Sequence, residues 1–493
     1  MSLIKKIQSL LLDENEKIFI KSNNILFNKK SEDTILIQCT EDYFYLKLYT
    51  LLLMQESKNI KNVVGLISIP FKTSKKDKIL IIPFALKVIL NKIRTNKLKK
   101  LYSSIGVSEF YSLNNLSLTN IVRSFKIFNG IKSKKDVLEL KIDDIKVGDL
   151  LYDTVVRFAK EPTLSINNLD VLINIYRSLN AICLVNLICN KYNISNSFFN
   201  QSVYIYHGVP VRTLLKNKIN VYTSGHFPMF KKLSIDDPFM MSTKNTHLKL
   251  LEEIKLDQKT IDKSLVLFGE RFKGKDDLGV IKHYKMNPYN LNNSITFDED
   301  FEGVLFLHDF YDSHKLYGPN TVFSDFDTWT KYTLNLIRDF NLKIAIKPHP
   351  LQIPESEKYL NNLMREYKDL IWLDPLISNL EIFKKGILFG ISHHGSVLAE
   401  LAYHNIKAIS CSESPISAYD ICYQASNIKE YKDYLLKIKE LPKKENLKNL
   451  LGIYYHNNFC SLSDYNINSK LINGVNILNS NRYNFTSKDL LLN

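Results

Sequence analysis

The chain has 493 residues, too many for one ordinary domain and enough for two or three that each bury a core. Hydrophobic residues at 45% and charged residues at 24% exclude wholesale disorder, and only 16 Gly and 14 Pro exclude a collagen-like or linker-dominated chain. Lys+Arg number 66 against 51 Asp+Glu, a formal charge of +15 that suits anionic partners, yet no RNP-like aromatic motif, Cys/His finger or dense Arg tract accompanies it. No nucleic-acid partner is therefore expected.

Six Cys, with only Cys183 and Cys189 closely spaced, make neither a disulfide framework nor a zinc ribbon, and a reducing cytoplasm is the simplest compartment. The opening MSLIKKIQSLLLDENEK has too short an apolar run for a signal peptide. The apolar stretch Ile79 to Ile93 is broken by Pro83, Lys87, Asn91 and Lys92, so no spanning helix is expected there.

In chain order, Asp33 to Cys39 reads as a buried strand, Tyr43 to Gln55 as a helix, and Asn62 to Ile69 as a second strand. The basic, apolar stretch from Lys78 to Lys100 suits either an anionic membrane surface or a helix with one solvated face. Helices are predicted at Asn114–Gly130 and Leu169–Tyr192. Strands are predicted at Ser202–Tyr206, ending in His207-Gly208, and at Asn220–Thr223, ending in Ser224-Gly225-His226. The second half alternates more clearly, with strands at Gly303–Leu307, Lys343–Ile346, Leu370–Leu373, Gly386–Ile391 and Lys407–Ser410. Helices between them are expected at Asp327–Phe340, Pro354–Tyr367, Asn379–Lys385 and Ser396–His404. This alternation predicts an α/β protein with two Rossmann-like parallel-sheet domains. The polar Lys255–Asn293 region marks the junction, giving domains of residues 1–260 and 261–493.

Ligands of open parallel sheets bind beyond the carboxyl ends of the strands. Three loops of the second half fall there: His308-Asp309, Lys347-Pro348-His349-Pro350 and Ser392-His393-His394-Gly395-Ser396. Two prolines hold Lys347 and His349 on a stiff, extended backbone suited to a phosphate ester. Gly395 permits a tight turn, Ser396 opens a helix, and Glu400 lies one turn on, placed to orient a ribose or cap its own helix. His393 and His394 are adjacent and point to opposite sides of the chain, which argues against a two-histidine metal site.

The order of strand, KPHP, helix, strand, helix, strand and HHGSVLAELAYHNIKAI resembles the nucleotide-binding domain of GT-B glycosyltransferases of bacterial surface polysaccharide synthesis. The similarity is to Kdo-transferase-like, sialyltransferase and CDP-glycerol transferase families and covers about Gly303 to Ser412. It implies a GT-B fold with two domains facing a cleft. It also implies that His349, Ser396 and Lys347 hold the donor phosphates with no catalytic metal; His394, Gly395 and Glu400 complete the expected nucleotide-sugar site, and no cofactor is expected. The partners implied are a nucleotide-sugar donor, CMP-linked by preference, and a glycan or lipid-linked glycan acceptor. The basic Lys78–Lys100 stretch would add peripheral contact with an anionic membrane at the inner face of the inner membrane if it rests on one.

In such families the N-terminal domain supplies the base. Candidates are Asp149 and Asp153 in GDLLYD, four apart and on one face if helical, with Glu161, His207 and His226. Asp276-Asp277 only loosely echoes an acidic element of sialyltransferases. Asp325-Phe326-Asp327 has the D-x-D form of metal-dependent transferases, but its place at a helix start favours a cap. The alternatives are a GT-B sugar-nucleotide 2-epimerase, a polyol-phosphate transferase and a non-catalytic scaffold of an export complex.

Overall fold

The computed structural model describes residues 11–23, 25–68, 81–113, 117–224, 230–274, 300–460, 467 and 486–490. His226, Asp276 and Asp277 lie outside them. The chain divides into two compact units. The first takes the described residues of Met1–Ala159, Ser165–Met240 and Ser463–Asn493, the second those of Lys160–Leu164 and Met241–Leu462.

The first unit is built on β1 (Thr34–Cys39), β2 (Asn62–Ile67), β3 (Val107–Ser112), β4 (Ile194–Phe199), β5 (Asn220–Thr223) and β6 (Lys231–Leu233). Their order across the sheet is β3-β2-β1-β4-β5-β6, all parallel except β6. Every residue of β1 is buried, as expected of a strand covered on both faces. Helices connect the strands, among them α1 (Tyr43–Glu56), α2 (Gly148–Ala159), α3 (Leu169–Lys191) and α4 (Tyr204–Lys216). The order reverses between β1 and β4, which makes their carboxyl ends the switch point of a doubly wound sheet.

One expectation is corrected here. Ser202–Tyr206 is no strand: β4 precedes it, and Tyr204, in the left-handed region at φ 59°, starts α4, so His207 and Gly208 are helical. Helix α3 is long and apolar enough to cross a bilayer by length and composition alone. In this fold α3 buries Val171, Ile175, Leu179, Ile182, Val185 and Ile188. The basic stretch from Lys78 contains the helix Ile81–Ser104, in which Arg94 pairs with Glu41 and Lys97 lies 2.8 Å from Glu16.

The second unit carries β7 (Gly303–Phe306), β8 (Ile344–Lys347), β9 (Phe389–Ser392), β10 (Lys407–Ser410) and β11 (Tyr423–Gln424) in the order β8-β7-β9-β10-β11, all parallel. Leu370–Leu373 is not a full strand. It runs beside β8 through one parallel bridge between Ile346 and Trp372, with Leu373 N–H donating to the Ile346 carbonyl at 2.8 Å. Helices α5 (Phe326–Asp339), α6 (Pro354–Glu366) and α7 (Val397–Tyr403) connect these strands. Leu398, Ala399, Leu401 and Ala402 of α7 are buried in a core with Val304, Phe306 and Ala345. Each unit is therefore an α/β, Rossmann-like domain with a mainly parallel sheet.

Candidate functional site

In the second unit the strand order reverses between β7 and β9. His308 follows β7 by two residues, and His393-His394-Gly395-Ser396 follow β9 directly. A donor–acceptor network joins the two loops. His308 Nε2–H donates to the His394 carbonyl at 2.9 Å, which fixes the proton on Nε2 because a carbonyl only accepts. The His308 ring stacks on Phe326 at 4.6 Å with planes 6° apart. Asp309 ties the β7 and β8 loops together: Oδ1 accepts from Tyr311 N–H at 2.9 Å and Oδ2 from Ile353 N–H at 3.0 Å.

Lys347 is the last residue of β8 rather than the first of its loop, and it is buried. Its Nζ donates to the Pro375 carbonyl at 3.3 Å. Burial pushes the ammonium down to about 8, although the charges of Glu400 and Asp374 favour the protonated form. His349 turns its Nδ1 onto the chain, accepting from Leu351 N–H at 3.1 Å. Burial holds this imidazole below its usual range. Nε2 has no hydrogen-bond partner among the described residues, and in the tautomer whose Nδ1 accepts from Leu351 N–H, not the one whose Nδ1 donates to the Leu351 carbonyl at 3.2 Å, it carries the proton and can donate.

The β9 loop holds the least satisfied groups of the unit. His393 and His314 face each other through their Nε2 atoms at 2.7 Å, one donating and one accepting. The Nδ1 atoms of both rings, and both ring nitrogens of His394, are buried without a partner. Burial keeps His308, His314 and His393 well below the usual histidine range and pushes His394 down to about 3. These are neutral rings. A buried polar atom left unpaired costs about 1–3 kcal/mol, and four of them fall in this one cluster. Gly395 has φ 108°, which only glycine adopts without strain, and the next residue, Ser396, is exposed with no side-chain cap bond. Glu400, on α7, is buried and already engaged: Oε2 accepts from Asn379 Nδ2 at 2.9 Å, and Oε1 lies 3.9 Å from Arg271.

His314 escaped the sequence reading, as did Asn379 and Arg271. The signal for His314 was present in Asp312-Ser313-His314-Lys315, a polar run in the loop that follows β7.

The remaining candidates are distributed as follows. Asp149 and Asp153 both lie on α2 and are buried. Asp149 makes two bonds of 2.6 Å to the Arg212 guanidinium. Burial alone would raise its carboxyl, but the Arg212 charge overrides that and holds it below the usual range. His207 Nδ1 accepts from Gln38 Nε2 at 2.6 Å, while Gln38 Oε1 accepts from Asn200 N–H at 3.3 Å. In that arrangement the His207 proton sits on Nε2. Glu161 belongs to the second unit, apart from these three. Asp325 caps α5, its Oδ1 accepting from Thr328 N–H at 2.7 Å and its Oδ2 from Thr163 at 2.6 Å. Asp327 accepts from the Tyr359 hydroxyl and lies 3.3 Å from Lys331. Among the described residues no cluster of His, Cys, Asp or Glu is arranged to hold a metal ion.

No family model matches the chain, and no curated protein matches it. Among solved structures, the chain is similar to the UDP-GlcNAc 2-epimerase of Methanocaldococcus jannaschii in complex with UDP-GlcNAc and UDP. The identity is 12% over 85% of this chain and 97% of that one, with a TM-score of 0.29. KpsC of Thermosulfurimonas dismutans, a beta Kdo 2,7 transferase, is 14% identical over 55% of this chain and 80% of that one, at a TM-score of 0.33. A glycosyltransferase from Rickettsia africae ESF-5 is 10% identical over 92% and 100%, at 0.29. With similarity this distant, the chemistry of the site has to be argued from the chain's own residues.

Proposed function

We propose that the chain is a glycosyltransferase that moves a sugar from a nucleotide-activated donor to a surface polysaccharide acceptor. The reading rests on one observation: the carboxyl ends of β7, β8 and β9 carry a buried lysine, a proline-flanked histidine and unpaired buried imidazoles. Such a group suits a phosphate, whose oxygens accept from Lys347 Nζ, His349 Nε2 and the one protonated ring nitrogen of His394. Gly395 lets the backbone approach closely, Ser396 adds an exposed hydroxyl, and Glu400 helps to hold the β9 loop through Asn379 and Arg271.

In the reaction, an acceptor hydroxyl oxygen bonds to the anomeric carbon while the bond from that carbon to the phosphate oxygen breaks. Negative charge then grows on the leaving phosphate, and fixed donors placed there stabilise the transition state more than the bound donor. The hydroxyl proton passes to a general base. Asp153 and His207 are the candidates, since Asp149 is committed to Arg212. For His207 to act, the Gln38 amide must turn over and free Nε2 to accept.

The test is a thermal-shift and calorimetric screen against CMP, CDP, UDP and GDP, followed by transfer assays with the matching sugar nucleotides. Stabilisation by at least one nucleotide and release of that nucleotide on sugar transfer are expected. If none binds, the reading fails. If UDP-GlcNAc is converted to its 2-epimer with no acceptor present, an epimerase takes its place.

A further inference from the structure

We infer that the second unit carries another ligand site, a pocket for a neutral sugar ring at the carboxyl ends of β10 and β11. A cavity of about 680 Å³ opens there, and none of its lining residues belongs to Lys347–Pro350 or Ser392–Ser396. Its wall is rigid, because a backbone bridge joins Thr321 to Ser412. Val322 N–H donates to the Cys411 carbonyl and Glu413 N–H to the Asn320 carbonyl, both at 2.9 Å. Ile416 and Ile421, both buried, supply an apolar floor. A cavity of this size lies within the range that encloses small-molecule ligands.

The polar groups identify the ligand class. Lys244, Asn320, Glu413, Asp420, Gln424 and Lys444 line the space. Glu413 accepts from Lys244 at 3.1 Å and from Asn320 Nδ2 at 2.7 Å. Lys444 donates to Asp420 at 2.5 Å and lies 4.6 Å from the centre of the Tyr423 ring. Each cation is thus matched to an anion within the wall. A ligand anion would meet two carboxylates whose lysines are taken, and a ligand cation would meet two ammonium groups. The half-buried Gln424 amide has no hydrogen-bond partner among the described residues, so it offers both a donor and an acceptor. Carboxylates and amides around an apolar floor match a molecule with hydroxyls on its edge and C–H groups on its face. That is a neutral sugar ring.

Two sources present this chemistry, the sugar of an activated donor and a free glycan chain. The site stands independently of the phosphate reading, and nucleotide binding is measured separately.

The experiment titrates the full chain with maltotriose, chitotriose and trigalacturonate, and with UDP, UDP-glucose and UDP-GlcNAc, by calorimetry and saturation-transfer NMR. At least one neutral sugar is expected to bind, and Gln424→Ala and Glu413→Gln are each expected to weaken it about tenfold while leaving the affinity for UDP unchanged. Gln424→Ala removes a side chain with no internal partner, so its fold is retained. Binding of a free trisaccharide identifies a glycan chain. If only the sugar nucleotides exceed UDP, and Gln424→Ala removes the excess, the donor's sugar is the occupant. The inference is overturned if no neutral sugar binds in either form, if both variants leave that binding intact, or if trigalacturonate binds as tightly as the neutral trisaccharides.

Discussion

Removing the His349 imidazole should separate binding from chemistry. The leaving phosphate gains charge as the glycosidic bond breaks, so a clamped neutral donor contributes most in the transition state. His349→Ala is expected to lower kcat by about 10²–10³, with a smaller change in Kd for free nucleotide because Lys347 remains. A kcat near that of the parent protein would make His349 a turn residue only. Lys347 gives a pH signature. Its ammonium titrates near 8 in the free protein, so below that pH the cation is already present. Above it a proton must be taken up on binding, and affinity should fall by up to about tenfold per pH unit. Nucleotide Kd measured from pH 6.5 to 9.5 should therefore be flat and then rise, and Lys347→Met should be weak and flat throughout. The KPHP and HHGS residues could be placed at strand ends because each is a local motif that follows an apolar run. The pairing of His314 with His393 could not be read, because it joins residues 79 apart in the chain, and sequence spacing carries no information about such a contact.

Between elements, the Asp149–Arg212 pair bonds α2 to α4 through two buried contacts. Asp149→Asn leaves an uncompensated guanidinium in the interior and should cost about 3–5 kcal/mol in denaturant unfolding, whereas Asp149→Leu with Arg212→Met should recover most of it. Equal losses in the single and double variants would mean that the pair adds nothing beyond packing. The cap on α5 supports a second expectation. Asp325 and Asp327 spend their oxygens on Thr328, Thr163, Tyr359 and Lys331, so sugar transfer should survive EDTA. Abolition by EDTA and rescue by Mn²⁺ or Mg²⁺ would overturn it. The strand Thr34–Cys39 was clear because its centre, Ile35-Leu36-Ile37, is the apolar run of a parallel strand covered on both faces. Ser202–Tyr206 misled for the opposite reason. Its aromatic and β-branched residues have strand propensity, but they follow a strand containing Asn196 and Ser197, and the left-handed turn at Tyr204 sends them into a helix. Tertiary context overrode local preference there.

At the scale of the molecule, the division into two compact units sets how a ligand should be felt. Only the second unit carries the Lys347, His349 and His394 loops, so a nucleotide bound there contributes its free energy to that unit's opening equilibria. At a hundredfold excess over Kd this is about 2.7 kcal/mol. Amide hydrogen exchange with and without nucleotide should slow in β7 to β10 and their following loops, where global opening of the unit limits exchange. The sheet of the first unit should keep its exchange rates, since it contributes no group to the phosphate loops. A calorimetric scan should show the same partition, with one transition rising on addition of nucleotide and the other fixed. If protection appears in β1 and β4 at the switch point of the first unit and not in the second, the nucleotide site is assigned to the wrong sheet. The β8 and β9 loops would then need another explanation for their unpaired imidazoles.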